Sequence, residues 1–153
     1  YALNEITIQR KDTTSLLNIS CEINDNYLTN YWSDGLIVST PTGSTGYSLS
    51  NGGSIVSPES NVILLNPIAP HNINMRSLVI PDNSNIKIDI EVDNEVNLSV
   101  DSRMYSINSS NQIEISKADF TIKTIKFDDD NFYKRLREKL FWGQDMRNKN
   151  INN

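Results

Sequence analysis

Apolar residues alternate with polar ones along three stretches of the chain, which predicts strands with one buried face. Successive side chains of a strand point to opposite faces of the sheet, so an apolar residue at every second position faces a core. The pattern covers residues 17–23, 86–92 and 96–100, with apolar positions at Leu17, Ile19, Cys21, Ile23, Ile86, Ile88, Ile90, Val92, Val96, Leu98 and Val100. The pair Asp93-Asn94 separates the last two stretches. Because such pairs favour tight turns, we expect those two strands to form a hairpin.

Two other stretches, residues 36–38 and 62–65, are apolar at consecutive positions. Continuous apolar runs of this length are typical of strands that are covered on both faces. Further along, Phe120 and Ile122 alternate, and Ile125 and Phe127 alternate in the opposite phase. This change of phase predicts a strand with a bulge.

One helix is predicted near the C-terminus. Asp130 is suited to be its N-cap, and Gly143 is suited to end it. Between them the apolar positions recur at helical spacing, at Phe132, Tyr133, Leu136 and Leu140. The expected fold is therefore all-β, β-sandwich-like and multi-stranded, with one C-terminal α-helix. We expect residues 1–127 to form the β-rich part and residues 128–153 to add the helix and a polar tail to the same domain.

Length and composition favour one soluble domain. The chain has 153 residues, of which 37% are hydrophobic and 22% are charged, which is enough for one core. No apolar run approaches the roughly 18 residues of a membrane helix, and no secretory signal is visible, so we expect a cytoplasmic location and no membrane partner. The net charge of −5 argues against nucleic acid as a partner. Because Cys21 is the only cysteine, an internal disulfide is excluded.

The segment that carries candidate chemistry follows the apolar run at residues 36–38. It reads Thr-Pro-Thr-Gly-Ser-Thr-Gly-Tyr-Ser-Leu-Ser over residues 40–50. Hydroxyl groups both donate and accept, which suits phosphate, ribose and carboxamide groups, and glycine lets a ligand approach the backbone. The segment is neither a Walker A motif nor a Gly-x-Gly-x-x-Gly motif. By composition alone, a polar surface loop explains it equally well.

Residues 34–50 resemble the most characteristic segment of NAD kinases, and the resemblance continues in order along the chain. The family's Asn-Glu pair is matched by Asn4-Glu5, and its later landmarks are matched by Gly52-Gly53, residues 66–71, residues 76–82 and Asp101-Ser102-Arg103. The resemblance implies the C-terminal domain of a two-domain kinase, with residues 1–127 as the NAD-binding domain. Such kinases phosphorylate the 2'-hydroxyl of the adenosine ribose of NAD to give NADP, using ATP with Mg²⁺, or polyphosphate.

The resemblance also implies roles for individual residues and partners for the chain. Asn4 and Glu5 would hold the ribose hydroxyls, and Asp34 would accept from an amino group of NAD, across a subunit interface. The remaining NAD-binding residues would be Thr45, Gly46, Tyr47, Ser48 and Ser50, with weaker roles for Asp101 and Arg103. The implied partners are an N-terminal α/β domain of the same protein and further copies in a homodimer or homotetramer.

Two features depart from the family pattern. Position 46 is Gly where the family usually has Ala, which should loosen the loop without removing a polar contact. More important, the Gly-Gly-Asp-Gly motif, whose aspartate is the family's general base, is absent from the chain. The chain also starts in an apparent strand without an initiator Met, so we expect it to be part of a longer protein. We predict that the chain alone has no catalytic residue and cannot form NADP.

Two other functions compete with this interpretation. A β-sandwich that binds carbohydrate or protein would account for the strand pattern, which many functions share. A lipid kinase related to NAD kinases, for diacylglycerol or sphingosine, would need an apolar pocket, whereas Asn4, Glu5 and the hydroxyl-rich segment are polar. His71, the only histidine, has no second histidine or cysteine near it in sequence, so we do not expect a metal site.

Overall fold

The computed structural model describes residues 1–11, 15–91, 95–108, 112–125 and 131–143. This part of the chain contains ten strands and two α-helices. A single 3-10 turn, Thr42–Thr45, precedes the first helix. The strands are β1 (Glu5–Arg10), β2 (Leu17–Ile23), β3 (Asn26–Ser33), β4 (Gly35–Ser39), β5 (Val62–Ile68), β6 (Leu78–Pro81), β7 (Ile86–Glu91), β8 (Val96–Val100), β9 (Arg103–Ile107) and β10 (Ile113–Ile115), and the helices are α1 (Tyr47–Ser50) and α2 (Phe132–Leu140).

The strands form two sheets, which confirms the predicted all-β architecture with a C-terminal helix. The larger sheet has the order β6-β5-β4-β1-β8-β9, and the smaller sheet has the order β10-β7-β2-β3. One apolar core contains residues of both sheets, among them Ile8, Leu36, Val38, Ile63 and Leu65 from the larger sheet and Leu17, Ile19, Cys21, Ile86, Ile88 and Ile90 from the smaller. Burying these side chains between the sheets supplies the main favourable term in folding.

Burial along the strands agrees with what the alternating and continuous apolar patterns predict. Along β2 and β7 the apolar positions are buried, except Ile23, which is partly buried, and none of the polar positions between them is buried. All five residues of β4 are buried, as are six of the seven residues of β5. Burial raises the pKa of Cys21 to about 11, and the nearby Glu22 charge adds to the shift. The thiol is therefore an unreactive part of the core.

The predicted hairpin of residues 86–92 with residues 96–100 is wrong. Strand β7 pairs with β2 and β10 in the smaller sheet, whereas β8 pairs with β1 and β9 in the larger sheet. The chain therefore passes from one sheet to the other between the two strands. Both strands show alternation because each sheet presents one face to the same core, and alternation does not distinguish pairing within a sheet from packing between sheets. Asp93 and Asn94 themselves lie outside the described residues.

The predicted bulged strand is also wrong in the part that can be compared. Residues 120–125 form no strand, and Phe120, Ile122 and Ile125 are exposed. The alternation alone therefore does not produce a strand here. Phe127 lies outside the described residues.

The chain divides into two compact units, Tyr1–Asp119 and Phe120–Asn153. In the second unit, helix α2 confirms the predicted helix. Its N-cap is Asn131, whose side chain accepts a hydrogen bond of 2.8 Å from the Lys134 backbone N–H. The predicted cap, Asp130, lies outside the described residues, as does the boundary between residues 127 and 128. Phe141, with φ 53°, ends the helix in the left-handed conformation, two residues before Gly143.

Candidate functional site

The hydroxyl-rich segment lies on the face of the larger sheet that points away from the common core. Strand register places Glu5 opposite Ser39 and Ile37 opposite Asn66. Ile8, Leu36 and Val38 occupy the alternate positions and face the core. Because side chains alternate between the two faces, Glu5 and Asn66 lie on the second face, on the strands that flank β4. The segment that follows β4, residues 40–51, is attached to both of these side chains.

The beginning of the segment is bonded to the start of β1. The Thr40 backbone N–H donates to the carbonyl of Asn4 over 2.9 Å, and the Thr40 hydroxyl donates to the carbonyl of Leu3 over 2.6 Å. Gly43 passes so close that a Cβ built there would lie 2.1 Å from the Asn4 carbonyl oxygen. The loop and the Asn4-Glu5 pair therefore form one packed unit, and the contact requires glycine at position 43.

The loop has an inner side and an outer side. Ser44 is fully buried, and its hydroxyl donates to the Pro41 carbonyl over 2.7 Å and accepts from the Val56 backbone N–H over 3.0 Å. Ser48 is also fully buried. In contrast, Thr45, Gly46, Tyr47 and Ser50 are exposed. Of the five loop residues predicted to bind NAD, four are thus open to a ligand, while Ser48 lies beneath them.

The carboxylate of Glu5 lies under the turn between the 3-10 helix and α1. Its Oε2 atom would be 3.1 Å from a Cβ built at Gly46. The Tyr47 backbone N–H also favours the charged form of the same carboxylate. Among the described residues, Oε2 is buried and has no hydrogen-bond partner. A buried acceptor without a donor is costly, and it is satisfied when a donor such as a ligand hydroxyl arrives.

The pKa of Glu5 is shifted by its partly buried position. Desolvation by burial, followed by the negative charge of Asp101, raises the pKa of Glu5 above its ordinary value, although the Tyr47 backbone N–H acts in the opposite direction. The ionised carboxylate is therefore less stable here than in water. A donor that binds it recovers part of that lost solvation.

Asp101 braces the start of β1. Its carboxylate accepts backbone N–H bonds from Leu3, Asn4 and Glu5 at 2.9, 2.8 and 3.2 Å. Desolvation opposes the charged form, but these three bonds and the Arg103 charge together lower the pKa of Asp101. Arg103 donates to the carbonyl of Tyr1 in the same segment. Both residues, predicted as weaker NAD contacts, are engaged with the main chain around the Asn4-Glu5 pair.

Asp34 lies at the other end of β4 from the loop. Its carboxylate forms an ion pair of 3.0 Å with Arg10, and its backbone N–H donates to the Ile68 carbonyl over 2.9 Å. The five residues of β4 lie between Asp34 and Thr40, the first residue of the loop, and they span about 16 Å at the usual rise of a strand. The structure therefore brings Asn4 and Glu5 together with the loop, whereas the carboxylate of Asp34 is paired with Arg10.

His71 lies at the surface of the described structure. His71 is exposed, and its backbone N–H donates to the Trp32 carbonyl over 2.8 Å. Within the described part of the chain, no group of three or more His, Cys, Asp or Glu side chains could hold a metal ion. No helix in the same part is long and apolar enough to cross a membrane.

Sequence reasoning missed one buried polar residue beside the loop, Asn66. It is a single amide within an apolar strand, β5. That contrast was a usable signal, because a buried polar side chain in a native core almost always has hydrogen-bond partners.

Comparison with known proteins identifies the family. Residues 3–127 match the family model described as the ATP-NAD kinase C-terminal domain. The chain belongs to the NAD kinase family. It is 52% identical over 149 residues to the NAD kinase of Flavobacterium psychrophilum, covering 97% of this chain and 51% of that protein. It is 42% identical over 148 residues to an NAD kinase of Bacteroides fragilis, covering 96% of this chain and 51% of that protein.

Solved structures of NAD kinase relatives share the fold. Yeast NADH kinase complexed with NADH aligns with a TM-score of 0.76 and 30% identity, covering 95% of this chain and 46% of that one. An NAD kinase from Archaeoglobus fulgidus in complex with ATP aligns with a TM-score of 0.70 and 28% identity, covering 78% of this chain and 46% of that one. The chain spans about half the length of the curated NAD kinases that it matches, 51% in the first case above.

Proposed function

We propose that the chain is the NAD-binding part of an enzyme that transfers a phosphoryl group to the 2'-hydroxyl of the adenosine ribose of NAD. The observation that carries this proposal is the buried Oε2 atom of Glu5, which has no donor in the described part of the chain and lies under the exposed turn at Gly46 and Tyr47. A ribose hydroxyl is a donor of the right size and chemistry for that atom. The curated relatives named NAD kinase and the yeast NADH kinase complexed with NADH support the same substrate class.

Each exposed group of the loop has a role in this proposal. Glu5 accepts from one ribose hydroxyl, and the Asn4 amide contacts the other. The ring of Tyr47, 38% exposed, packs on a ring of the dinucleotide. Thr45 and Ser50 contribute hydroxyls, and Gly46 allows the ligand to approach the backbone. Ser48, which is buried, holds the loop in place through its bond with Asn66.

Asp34 serves a second copy of the chain in this proposal. It precedes β4, whereas the loop follows that strand, and its carboxylate is held by Arg10 near the junction of β3 and β4. A carboxylate held in this way can accept from the amino group of a carboxamide or adenine. The binding site would thus be completed in a homodimer or homotetramer.

Phosphoryl transfer itself requires groups that this chain does not contain. The chain has no Gly-Gly-Asp-Gly sequence, and the general base and donor-binding groups would come from an N-terminal α/β domain. ATP or polyphosphate would be the donor, with Mg²⁺. Because the described residues offer no cage of carboxylates for a metal, the ion fits only if phosphate oxygens and water supply most of its ligands, which is common for Mg²⁺. Its contribution would be to neutralise charge on the phosphates.

An activity and binding assay tests the proposal. The full-length parent protein should form NADP from ATP and NAD, whereas the isolated 153-residue chain should form none. Calorimetry on the full-length protein should detect binding of NAD and no binding of a simple sugar. In that protein, Asn4→Ala and Asp34→Ala should weaken NAD binding about tenfold each, the usual scale for one lost polar contact. Unchanged NAD affinity in both variants would refute the proposed NAD-binding site. NADP formation by the isolated chain would refute the proposal that the catalytic groups come from another domain.

A further inference from the structure

Asn66 is buried beneath the loop and makes three contacts with it. Only 3% of its surface is exposed. Its side-chain Nδ2 donates to the Ser48 carbonyl over 3.0 Å, and the Ser48 hydroxyl and the Asn51 carbonyl lie within 3.4 Å of the same atom. All three partners belong to α1 or to the residue that ends it. The amide therefore links β5 directly to the short helix that carries Tyr47 and Ser50.

The atoms around the Asn66 Nδ2 atom are all hydrogen-bond acceptors. The three atoms that face Nδ2 are two carbonyl oxygens and a hydroxyl oxygen, so all of them can accept. A second bond in the reverse direction joins the same elements, since Asn51 Nδ2 donates to the Pro67 carbonyl over 2.7 Å. Gly53 leaves the space that the amide needs, because a Cβ at position 53 would lie 2.8 Å from Nδ2 and 2.3 Å from the Ser48 hydroxyl.

Helix α1 depends on such support. It has only four residues, and its N-cap residue, Gly46, makes no side-chain cap bond. An isolated helix of one turn is unstable in water because nucleation is unfavourable. The inner side of α1 is attached through Ser48 to Asn66, while its outer side presents Tyr47 and Ser50. The position of the exposed side is thus set by the bonds of the buried side.

We propose that Asn66 is a positioning residue for NAD: it holds α1 in the one geometry in which Tyr47 and Ser50 can contact the dinucleotide. Asn66 does not touch the ligand, because it is buried behind the helix. It acts on NAD affinity by preorganising the loop, so its loss makes binding include the cost of ordering that loop. This role rests on the proposed NAD site.

The test uses steady-state kinetics on the full-length protein with Asn66→Ala, and with Asn66→Leu, which fills the volume of the side chain but cannot donate. Both variants should raise the KM for NAD about tenfold, while the KM for ATP stays within about twofold and kcat within about threefold, as expected for loss of uniform binding. Leu65→Val is the matched control, since Leu65 is the neighbouring buried residue of β5 and belongs to the common core. It should lower the melting temperature without raising the KM for NAD.

Different outcomes separate the possible failures. An unchanged KM for NAD in a folded Asn66 variant, or an equal rise in Leu65→Val, would overturn the positioning role. If neither Asn66 variant folds, Asn51→Ala removes the partly exposed half of the same attachment and should raise the KM for NAD about threefold; no rise would again overturn it. Tyr47→Ala reports on the proposed site itself: if it leaves the KM for NAD unchanged, the proposed function is wrong rather than the role of Asn66.

Discussion

Replacing Glu5 with glutamine in the full-length protein should lower kcat/KM for NAD between about tenfold and a hundredfold. The variant keeps the size of the side chain and removes the charge that would bind a ribose hydroxyl, and charge-assisted hydrogen bonds are roughly twice as strong as neutral ones. Steady-state kinetics with NAD as the varied substrate measures the effect. The KM for ATP should change little.

The same Glu5→Gln variant should be at least as stable as the wild type at neutral pH. The pKa of Glu5 is raised in the folded protein, first by desolvation and then by Asp101. A carboxyl group with a raised folded pKa takes up its proton more readily when folded, so its ionised form opposes folding once the pH is above that pKa. Removing the charge removes this penalty. Activity lost with stability retained is the signature of a ligand-binding group.

Glu114→Gln is the matched control for Glu5→Gln. Glu114 is an exposed carboxylate on β10 in the smaller sheet, so its loss should leave both kinetics and stability unchanged. If Glu5→Gln binds NAD as tightly as the wild type, or if it unfolds the protein, Glu5 is not the ribose ligand that we propose.

Gly43→Ala should abolish more than about 99% of NAD turnover and lower the melting temperature by more than about 5 °C. A Cβ at this position would lie 2.1 Å from the Asn4 carbonyl oxygen, 2.5 Å from its carbon and 2.8 Å from its Cα. These are main-chain atoms that Asp101 and Thr40 hold in place, so the loop and the Asn4-Glu5 pair must separate. Backbone displacement at a packed contact costs a few kcal/mol, on the order of several degrees in melting temperature.

Gly46→Ala, three residues further along the same loop, provides the comparison. A Cβ there would meet the Glu5 Oε2 atom at 3.1 Å and the Gly43 carbonyl oxygen at 3.2 Å. The first contact is the end of a flexible side chain, which can move by a few tenths of an ångström. NAD turnover should stay within about threefold of the wild type, on the ordinary scale of a mild substitution. Equal effects of the two substitutions, measured by kinetics and thermal melting, would contradict the packing of the loop against Asn4.

The strands with the clearest apolar pattern were predictable, but their partners were not. Burial along β2 and β7 follows from their alternating apolar positions, and burial along β4 follows from its continuous apolar run. In each case the face on which a side chain lies is a local property of an extended chain. The pairing of β7 and β8 with different sheets is a non-local property. The turn-like pair Asp93-Asn94 favoured a hairpin, and only the shared core of the two sheets explains why the chain crosses instead.

The sequence located the candidate site but not its internal organisation. The density of hydroxyls and glycines marked the loop, and the family resemblance marked Asn4 and Glu5. Composition could not tell that Ser48 faces inward while Tyr47 faces outward, since this depends on the bonds to Asn66. It also could not tell that Asp101 binds the main chain of residues 3–5, or that Asp34 pairs with Arg10.

The most direct test of the account is a crystal structure of the full-length protein with bound NAD. We predict that a hydroxyl of the adenosine ribose lies within hydrogen-bond distance of Glu5 Oε2, about 2.6–3.2 Å, and that the ring of Tyr47 contacts the dinucleotide. Helix α1 should keep its bonds to Asn66 in the complex. NAD bound at another surface, with Glu5 Oε2 still lacking a donor and residues 45–50 untouched, would contradict the central claim.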